Sequence, residues 1–431
     1  MQLCLTLDHR FFQTPDSKVW TITQCSYDFY GDYLKVFDSV RVISRVFPVS
    51  RVEPNFLPVE GPGVEFYAMP GYKGPFGFLA QFARVRERAS CAVPVGSAVI
   101  LRVHGQVANS VEDWLTRRSL PYSLEVTADP YDMLSPAANK HLVAPVARRY
   151  FTRRLQRQCQ RAVAVSYVTQ GYLQRRYPPA LDQSEGERSC AGKTDEVRQC
   201  VMAVSDASLS PECFVSSPRT ALHNPSCIRI VFVGTLESFY KGPDILVEAV
   251  AICKANGVPV QARFIGIGQH LQTLQKRCIR LGIDDRVEFV GAVTTGEPVR
   301  RELDGADLFV LPSRAEGVPR AMLEAMARGL PCLGSAIGGI PELLHEEDLV
   351  APDSPAALAS AIAEVFSCQA KVERMSARNL SKAAEYSTVV LANRRREFYR
   401  AVKELTIRAY ALRRQDWRAT RSSSLQESQT P

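Results

Sequence analysis

Long apolar runs are missing from this chain. No stretch approaches the roughly 18 consecutive apolar residues that a membrane-crossing helix needs. The opening, Met1-Gln2-Leu3-Cys4-Leu5-Thr6-Leu7-Asp8, has neither a basic leading segment nor a long apolar one, so it does not read as a secretory signal. Also missing is any Cys-x-x-Cys pair among the 12 cysteines, which argues against a zinc site. Their scatter along 431 residues argues equally against a disulfide framework. Several lie inside apolar runs, as in Ala251-Ile252-Cys253 and Pro331-Cys332-Leu333, where a thiol behaves as a small core group. The expected compartment is therefore reducing and cytoplasmic, with any membrane contact peripheral. No Gly-x-Gly-x-x-Gly follows the first apolar run, Leu3–Leu7, which argues against a dehydrogenase. Internal repeats are absent as well.

What is present is ordinary globular composition, 46% hydrophobic and 23% charged. At roughly 150 residues per domain, the length allows two or three domains. The formal net charge of +8 is mild. It suits anionic small molecules or an anionic membrane surface and does not require nucleic acid.

Short apolar runs alternate with helical periodicity. Candidate strands in the first half are Leu3–Leu7, Val40–Val46, Ala98–Val103, Ser123–Val126 and Ala162–Val168. The second half offers Arg229–Val233, Gln261–Ile265, Val287–Val290, Leu308–Leu311 and Cys332–Gly334. They are Leu-rich or β-branched and mostly do not alternate, which suits parallel strands covered on both faces. Helical periodicity marks Pro243–Ala255, His270–Leu281 and Pro355–Phe366. The expected fold is α/β, with two doubly wound Rossmann-like domains. The first spans residues 1–178 and the second 228–385. Between them, 179–227 reads as a linker or insertion, partly disordered, because it is rich in Ser and Pro and lacks periodicity. It carries Cys190, Cys200, Cys213, Cys227 and His223, too widely spaced to predict a metal site. A last helix is expected over 386–412, followed by a disordered polar tail, 413–431.

One segment is dense with chemistry: Pro312-Ser313-Arg314-Ala315-Glu316-Gly317-Val318-Pro319-Arg320-Ala321-Met322-Leu323-Glu324. The strand Leu308–Leu311 leads into it. Pro319 suits a helix's first turn and Gly329 its end. Glu316 then lies in a loop at the carboxyl end of a parallel strand, where open α/β sheets bind ligands. The following helix offers unpaired N–H groups to a phosphate. A carboxylate in such a place can accept from neighbouring sugar or ribose hydroxyls. The blander reading is also available, with Glu324 on a solvated face between Arg320 and Arg328 and Glu316 an ordinary loop residue.

This segment resembles the retaining GT-B glycosyltransferases of glycosyltransferase family four. In that family a strand ending in Pro-Ser leads into Glu-Gly-x-Pro, with a second Glu eight positions after the first, as Glu316 and Glu324 are here. Matching pieces follow through the second half: Phe232-Val233-Gly234, Tyr240-Lys241-Gly242, Ile265-Gly266-Ile267-Gly268, Gly338-Gly339-Ile340-Pro341-Glu342 and Ala351-Pro352-Asp353. The resemblance implies a nucleotide-sugar donor held by this half. It puts Glu316 at the transferred sugar and Glu324 at the ribose. Lys241 would hold the diphosphate, Gly317, Val318 and Pro319 would bring backbone to sugar and phosphates, and Gly234 and Gly268 would keep loops low beside the nucleotide. Thr235 stands where the family usually has an arginine on the diphosphate, and Arg314 or Arg320 could substitute for it. No resident cofactor or divalent metal is implied. The acceptor, a glycan or lipid-linked molecule, would sit on the first half, and the last helix would cross back to that half.

The first half carries the resemblance less clearly. Its opening loop lacks the family's glycines, and Ala128 or Asp129 stands where relatives carry a histidine. Asp129 and the strand-ending His104 are the candidate polar groups there; Asp129 is equally a turn or cap residue before Pro130. Arginines gather at 84–88, 148–157 and 175–176, as solvated helix faces or as a membrane-facing patch. Competing readings are a nucleotide-sugar epimerase and a non-catalytic nucleotide-sugar-binding subunit.

Overall fold

The computed structural model describes residues 1–22, 24–103, 105–135, 144–180, 198–222 and 226–427. The first half supplies β1 (Gln2–Thr6), β2 (Phe11–Gln13), β3 (Val19–Thr21), β4 (Ser39–Pro48), β5 (Leu57–Pro58), β6 (Val64–Met69), β7 (Ala98–Val103), β8 (Ser123–Val126), β9 (Ala164–Tyr167) and β10 (Cys200–Ala203). Its main sheet runs β10-β9-β8-β7-β1-β4, with β6 on the far side of β4, all parallel. The short β2, β3 and β5 add a lip at the end of β4 that the sequence pattern does not announce. The second half supplies β11 (Ile228–Val233), β12 (Val260–Ile265), β13 (Val287–Gly291), β14 (Leu308–Leu311), β15 (Cys332–Ser335) and β16 (Leu349–Val350), ordered β13-β12-β11-β14-β15-β16 and also parallel.

Both sheets therefore wind outward from a central strand in two directions, which is the doubly wound arrangement. Apolar clusters lie on both faces of the N-terminal sheet. The second domain has its own cluster, built around β11, β12, β14 and β15. Central strands are buried along their length, as Leu308–Leu311 is, which is why they read as unbroken apolar runs. The fold is GT-B, two Rossmann-like domains facing a cleft.

Two expectations need correction. The linker region is not structureless where it is described. Cys200–Ala203 pairs with β9 as an outer parallel strand, and Arg219 donates to the carbonyls of Ala306 and Arg328 in the second domain. A four-residue run was too short to stand out, and carbonyl partners leave no sequence trace. Residues 181–197 and 223–225, with Cys190 and His223, lie outside the described residues. The final helix runs Thr388–Glu427, past the expected end at Leu412 and into the expected disordered tail. Residues 413–427 contain neither Gly nor Pro, so nothing in them breaks a helix; their polarity speaks to burial, not to backbone.

The chain passes between domains twice, and the crossings touch. Leu209 N–H donates to Tyr386 O at 2.9 Å, and Thr388 N–H to Leu209 O at 2.8 Å. Beyond the second crossing the last helix packs on the N-terminal sheet through Phe398, Tyr399 and Val402. Tyr399 stacks on Tyr33 with centroids 4.4 Å apart.

Candidate active site

In the C-terminal sheet the strand order reverses between β11 and β14. Loops leaving the carboxyl ends of these two strands lie at the crevice position where open α/β sheets bind ligands, and they touch there: Arg314 N–H donates to Tyr240 O at 2.6 Å. The β11 loop carries Gly234, Thr235 and Lys241; the β14 loop carries Ser313, Arg314 and Glu316. Close approach of backbones builds the floor. A Cβ on Gly268 would lie 2.1 Å from the Leu236 carbonyl carbon, and one on Gly234 only 2.5 Å from Lys241 Cδ. Gly242, at φ +69°, leaves no room for a side chain beside the Pro312 carbonyl oxygen, 2.0 Å from its would-be Cβ.

Lys241 and Glu316 meet across this crevice. Lys241 Nζ lies 2.6 Å from Glu316 Oε1, and Ser313 Oγ donates to the same oxygen at 3.0 Å. Their side chains are 16% and 9% exposed, so water screens the pair little. Burial works against the Lys241 charge. The Glu316 carboxylate and the Tyr240 hydroxyl outweigh it and hold the ammonium above the usual lysine range.

The neighbouring cation candidates are differently engaged. Arg314 grips Asp244 with both terminal nitrogens, at 2.8 and 3.0 Å, and Asp353 through Nε at 2.6 Å. It ties the β14 loop to its surroundings with its charge already matched. Thr235 accepts from Glu237 N–H at 3.1 Å, a turn-forming contact. Pro319 caps the helix Arg320–Ala327, one position before the expected first turn. Gly329 has φ +65° just past that helix, the place expected of it. Within the helix, Arg320 Nε lies 2.9 Å from Glu324 Oε1, which is the i,i+4 pair of the blander reading. Arg320 is 64% exposed and free to swing, so this pair does not tie Glu324 down.

The N-terminal candidates fare differently. Asp129 is buried and caps the short helix Pro130–Met133 through the Tyr131 N–H at 2.8 Å. Its other oxygen meets Arg176 at 2.5 Å, and the Tyr177 hydroxyl donates to the capping oxygen. Both oxygens are therefore engaged, and the structure shows Asp129 in the capping role that was its alternative reading. The Asp-Pro pair carried that signal. His104 lies outside the described residues.

A cavity of about 770 Å³ opens between the domains, lined by Arg102, Glu125, Thr127, Arg395, Val318 and Arg320 among others. Its N-terminal wall was not foreseen. Arg102 on β7 and Glu125 on β8 are register partners, and Arg102 Nη1 donates to Glu125 at 3.1 Å. Tyr33 donates to Glu125 at 3.0 Å, and Arg102 also pairs with Asp206. Burial raises the Glu125 carboxyl above its usual value, against the pull of Arg102. A usable signal existed: each is a lone charge near the end of an otherwise apolar strand. Among the described residues, no cluster of His, Cys, Asp or Glu is arranged to hold a metal.

The fold is the one that GT-B glycosyltransferases share. Residues 227–368 match the family model for glycosyl transferases group 1. Across the chain, the similarity to CapJ of Staphylococcus aureus is 23% identity over 76% of this chain and 77% of that protein. Amylovoran biosynthesis glycosyltransferase AmsK of Erwinia amylovora is 38% identical over 37% of this chain and 40% of its own length. That match therefore spans less than half of the relative. HepE of Anabaena, solved with UDP and glucose, shares the fold at a TM-score of 0.59 and 18% identity, covering 91% of this chain and 97% of HepE.

Proposed function

We propose that this protein moves a sugar from a nucleotide-diphosphate donor to an acceptor hydroxyl, with retention at the anomeric carbon, in polysaccharide or glycoconjugate assembly. The Lys241–Glu316 pair at the switch point carries the reading. It offers one cation for a departing diphosphate beside one carboxylate for sugar hydroxyls. The diphosphate would lie at the N-terminus of the helix Arg320–Ala327, with Glu324 at the ribose. The bond from C1 to the phosphate oxygen breaks while the acceptor oxygen bonds to C1 on the same face. The acceptor proton passes to the departing phosphate. Stabilisation comes from fixed charge and positioning, with no metal or cofactor required of the site. UDP and glucose bound to HepE, and the biosynthetic role in the name of AmsK, support this choice. Thermal shift against UDP, GDP and ADP sugars tests it. At least one should stabilise the protein, and Glu324→Ala should weaken that ligand by about tenfold, the loss of one charge-assisted contact. Stabilisation by none of them sinks the reading; equal stabilisation of the variant removes Glu324 from the ribose.

The acceptor would enter the interdomain cavity, and we infer that it is presented at a membrane surface. No helix among the described residues is long and apolar enough to cross a bilayer. A groove between the helices Gln106–Arg117 and Ala144–Arg161 is lined by six arginines against Glu112 and Asp113. Arg154 takes both of those carboxylates. Arg149, Arg153, Arg157 and Arg161 recur every fourth residue along one exposed stripe. On the same side of the sheet, the helix Gly74–Ser90 exposes Phe76, Leu79 and Phe82, with Phe76 at 86%. Arginines above and aromatic wedges beside them suit an anionic bilayer. At about 1 kcal/mol per basic residue, R149E/R153E/R157E should lose well over tenfold in co-sedimentation with phosphatidylglycerol vesicles. Equal binding by the triple variant would exclude this surface.

A further inference from the structure

Glu342 ends the motif Gly338-Gly339-Ile340-Pro341-Glu342 and makes no contact with Lys241, Glu316 or Glu324 in the donor crevice. It reaches the other domain instead. Its Oε2 accepts from Gln170 N–H at 2.5 Å, and its Oε1 from Gly171 and Tyr172 N–H at 2.8 and 2.5 Å. Three consecutive backbone N–H groups thus converge on one carboxylate. They precede or open the helix Tyr172–Arg176, where a helix has no internal acceptor for them. The bonds are charge-assisted on the carboxylate side. Gln170 adds a side-chain bond to Glu385 at 3.3 Å.

The same N-terminal turn also presses on the sugar-side loop. Gly339 N–H donates to Gly317 O at 3.1 Å, so the motif bearing Glu342 is fastened to the Glu316–Gly317 loop. From across the cleft, Thr169 Cγ2 lies 3.3 Å from where a Gly339 Cβ would be, and Val168 Cγ2 lies 3.9 Å from the Gly317 position. Residues 168–172 therefore touch both halves of this C-terminal platform at once.

We infer that Glu342 is a positioning residue. By gripping the 170–172 turn it sets the spacing between the N-terminal domain and the Glu316–Gly317 loop, and so the alignment of acceptor and donor sugar. That last step rests on the proposed glycosyl transfer; the grip itself does not. The contact is made of a few hydrogen bonds at the domain boundary, one exposed and two part-buried, so it can release and re-form as substrates enter.

Small-angle X-ray scattering of the full chain, with UDP affinity and UDP-glucose hydrolysis beside it, tests the inference. Glu342→Ala should enlarge the radius of gyration, leave UDP affinity within about threefold and cut hydrolysis by about tenfold or more, because alignment is lost while donor binding is not. Glu342→Gln, whose amide oxygen still accepts, should fall between. An unchanged radius in Glu342→Ala overturns the grip. An unchanged rate, or affinity and rate falling equally, overturns the positioning role. If the wild type binds no UDP, the donor reading has failed for that nucleotide, and the scattering arm still decides the grip alone.

Discussion

Lys241→Met should lower donor turnover by about 10²–10³-fold, the usual effect of removing a fixed charge aimed at developing negative charge. A nucleotide diphosphate leaves with at least two negative charges. Arg314, the nearest alternative on the β14 loop, is held by Asp244 and Asp353 and cannot move without leaving two carboxylates unmatched. Thr235 carries no charge where an arginine would have helped. The burden on Lys241 is correspondingly large. The variant also strands Glu316 without its partner in a site only 9% exposed, so stability should fall by about 1–3 kcal/mol. The pH dependence has a definite sign. The folded-state value is raised above 10.5, so the ammonium and its contribution persist below that pH and are lost only as pH climbs through the higher value. Wild-type turnover should show no falling limb from Lys241 between neutral pH and about 10. A variant with wild-type turnover would remove Lys241 from the chemistry. A wild type that binds donor but never turns it over would favour the non-catalytic reading.

Gly338→Ala should cost nearly as much activity by a different route. Gly338 has φ +60°, and a Cβ there would stand 1.9 Å from the Glu316 carbonyl oxygen. The left-handed backbone alone costs an alanine about 1–2 kcal/mol. The overlap is with backbone, not with a movable side-chain end, so the Glu316 loop must shift. Misplacing the sugar-side carboxylate by about 1 Å should lower turnover by about 10²-fold. The melting temperature should drop by about 2–8 °C, at about 2–4 °C per kcal/mol for a domain of this size. Diphosphate affinity should change far less, since Lys241 sits on the other loop. Calorimetry and nucleotide titration on one preparation separate these effects. A variant with normal turnover would show that the loop's position is not critical.

Much of the fold could be read from the chain. Ala98–Val103, Ser123–Val126, Leu308–Leu311 and Pro243–Ala255 have the bounds their residue patterns imply. A buried parallel strand must be apolar on both faces, and a helix against it must be apolar every third or fourth residue. Those demands are local, so they are written locally. Glu316 stands out as a carboxylate in a loop after a parallel strand, while Lys241 and the glycines are named only through the family resemblance; the close backbone approaches at those glycines are consistent with it.

Only the tertiary structure decided partnership. Asp129 and Glu316 are both acidic residues after a strand, yet one is closed off by Arg176 and Tyr177 and the other opens onto a crevice with Lys241. Arg314 looked available until Asp353, 39 residues on, was found holding it. Glu342 finds its three donors more than 160 residues earlier, in the other domain. Side-chain chemistry and periodicity are properties of neighbours in sequence, and the sequence by itself determined those: two doubly wound domains and a chemistry-rich loop at the carboxyl end of a parallel strand. Which charge meets which depends on strand order and domain docking, which bring distant loops within 3 Å, and at that range a charge is either matched or left free to act.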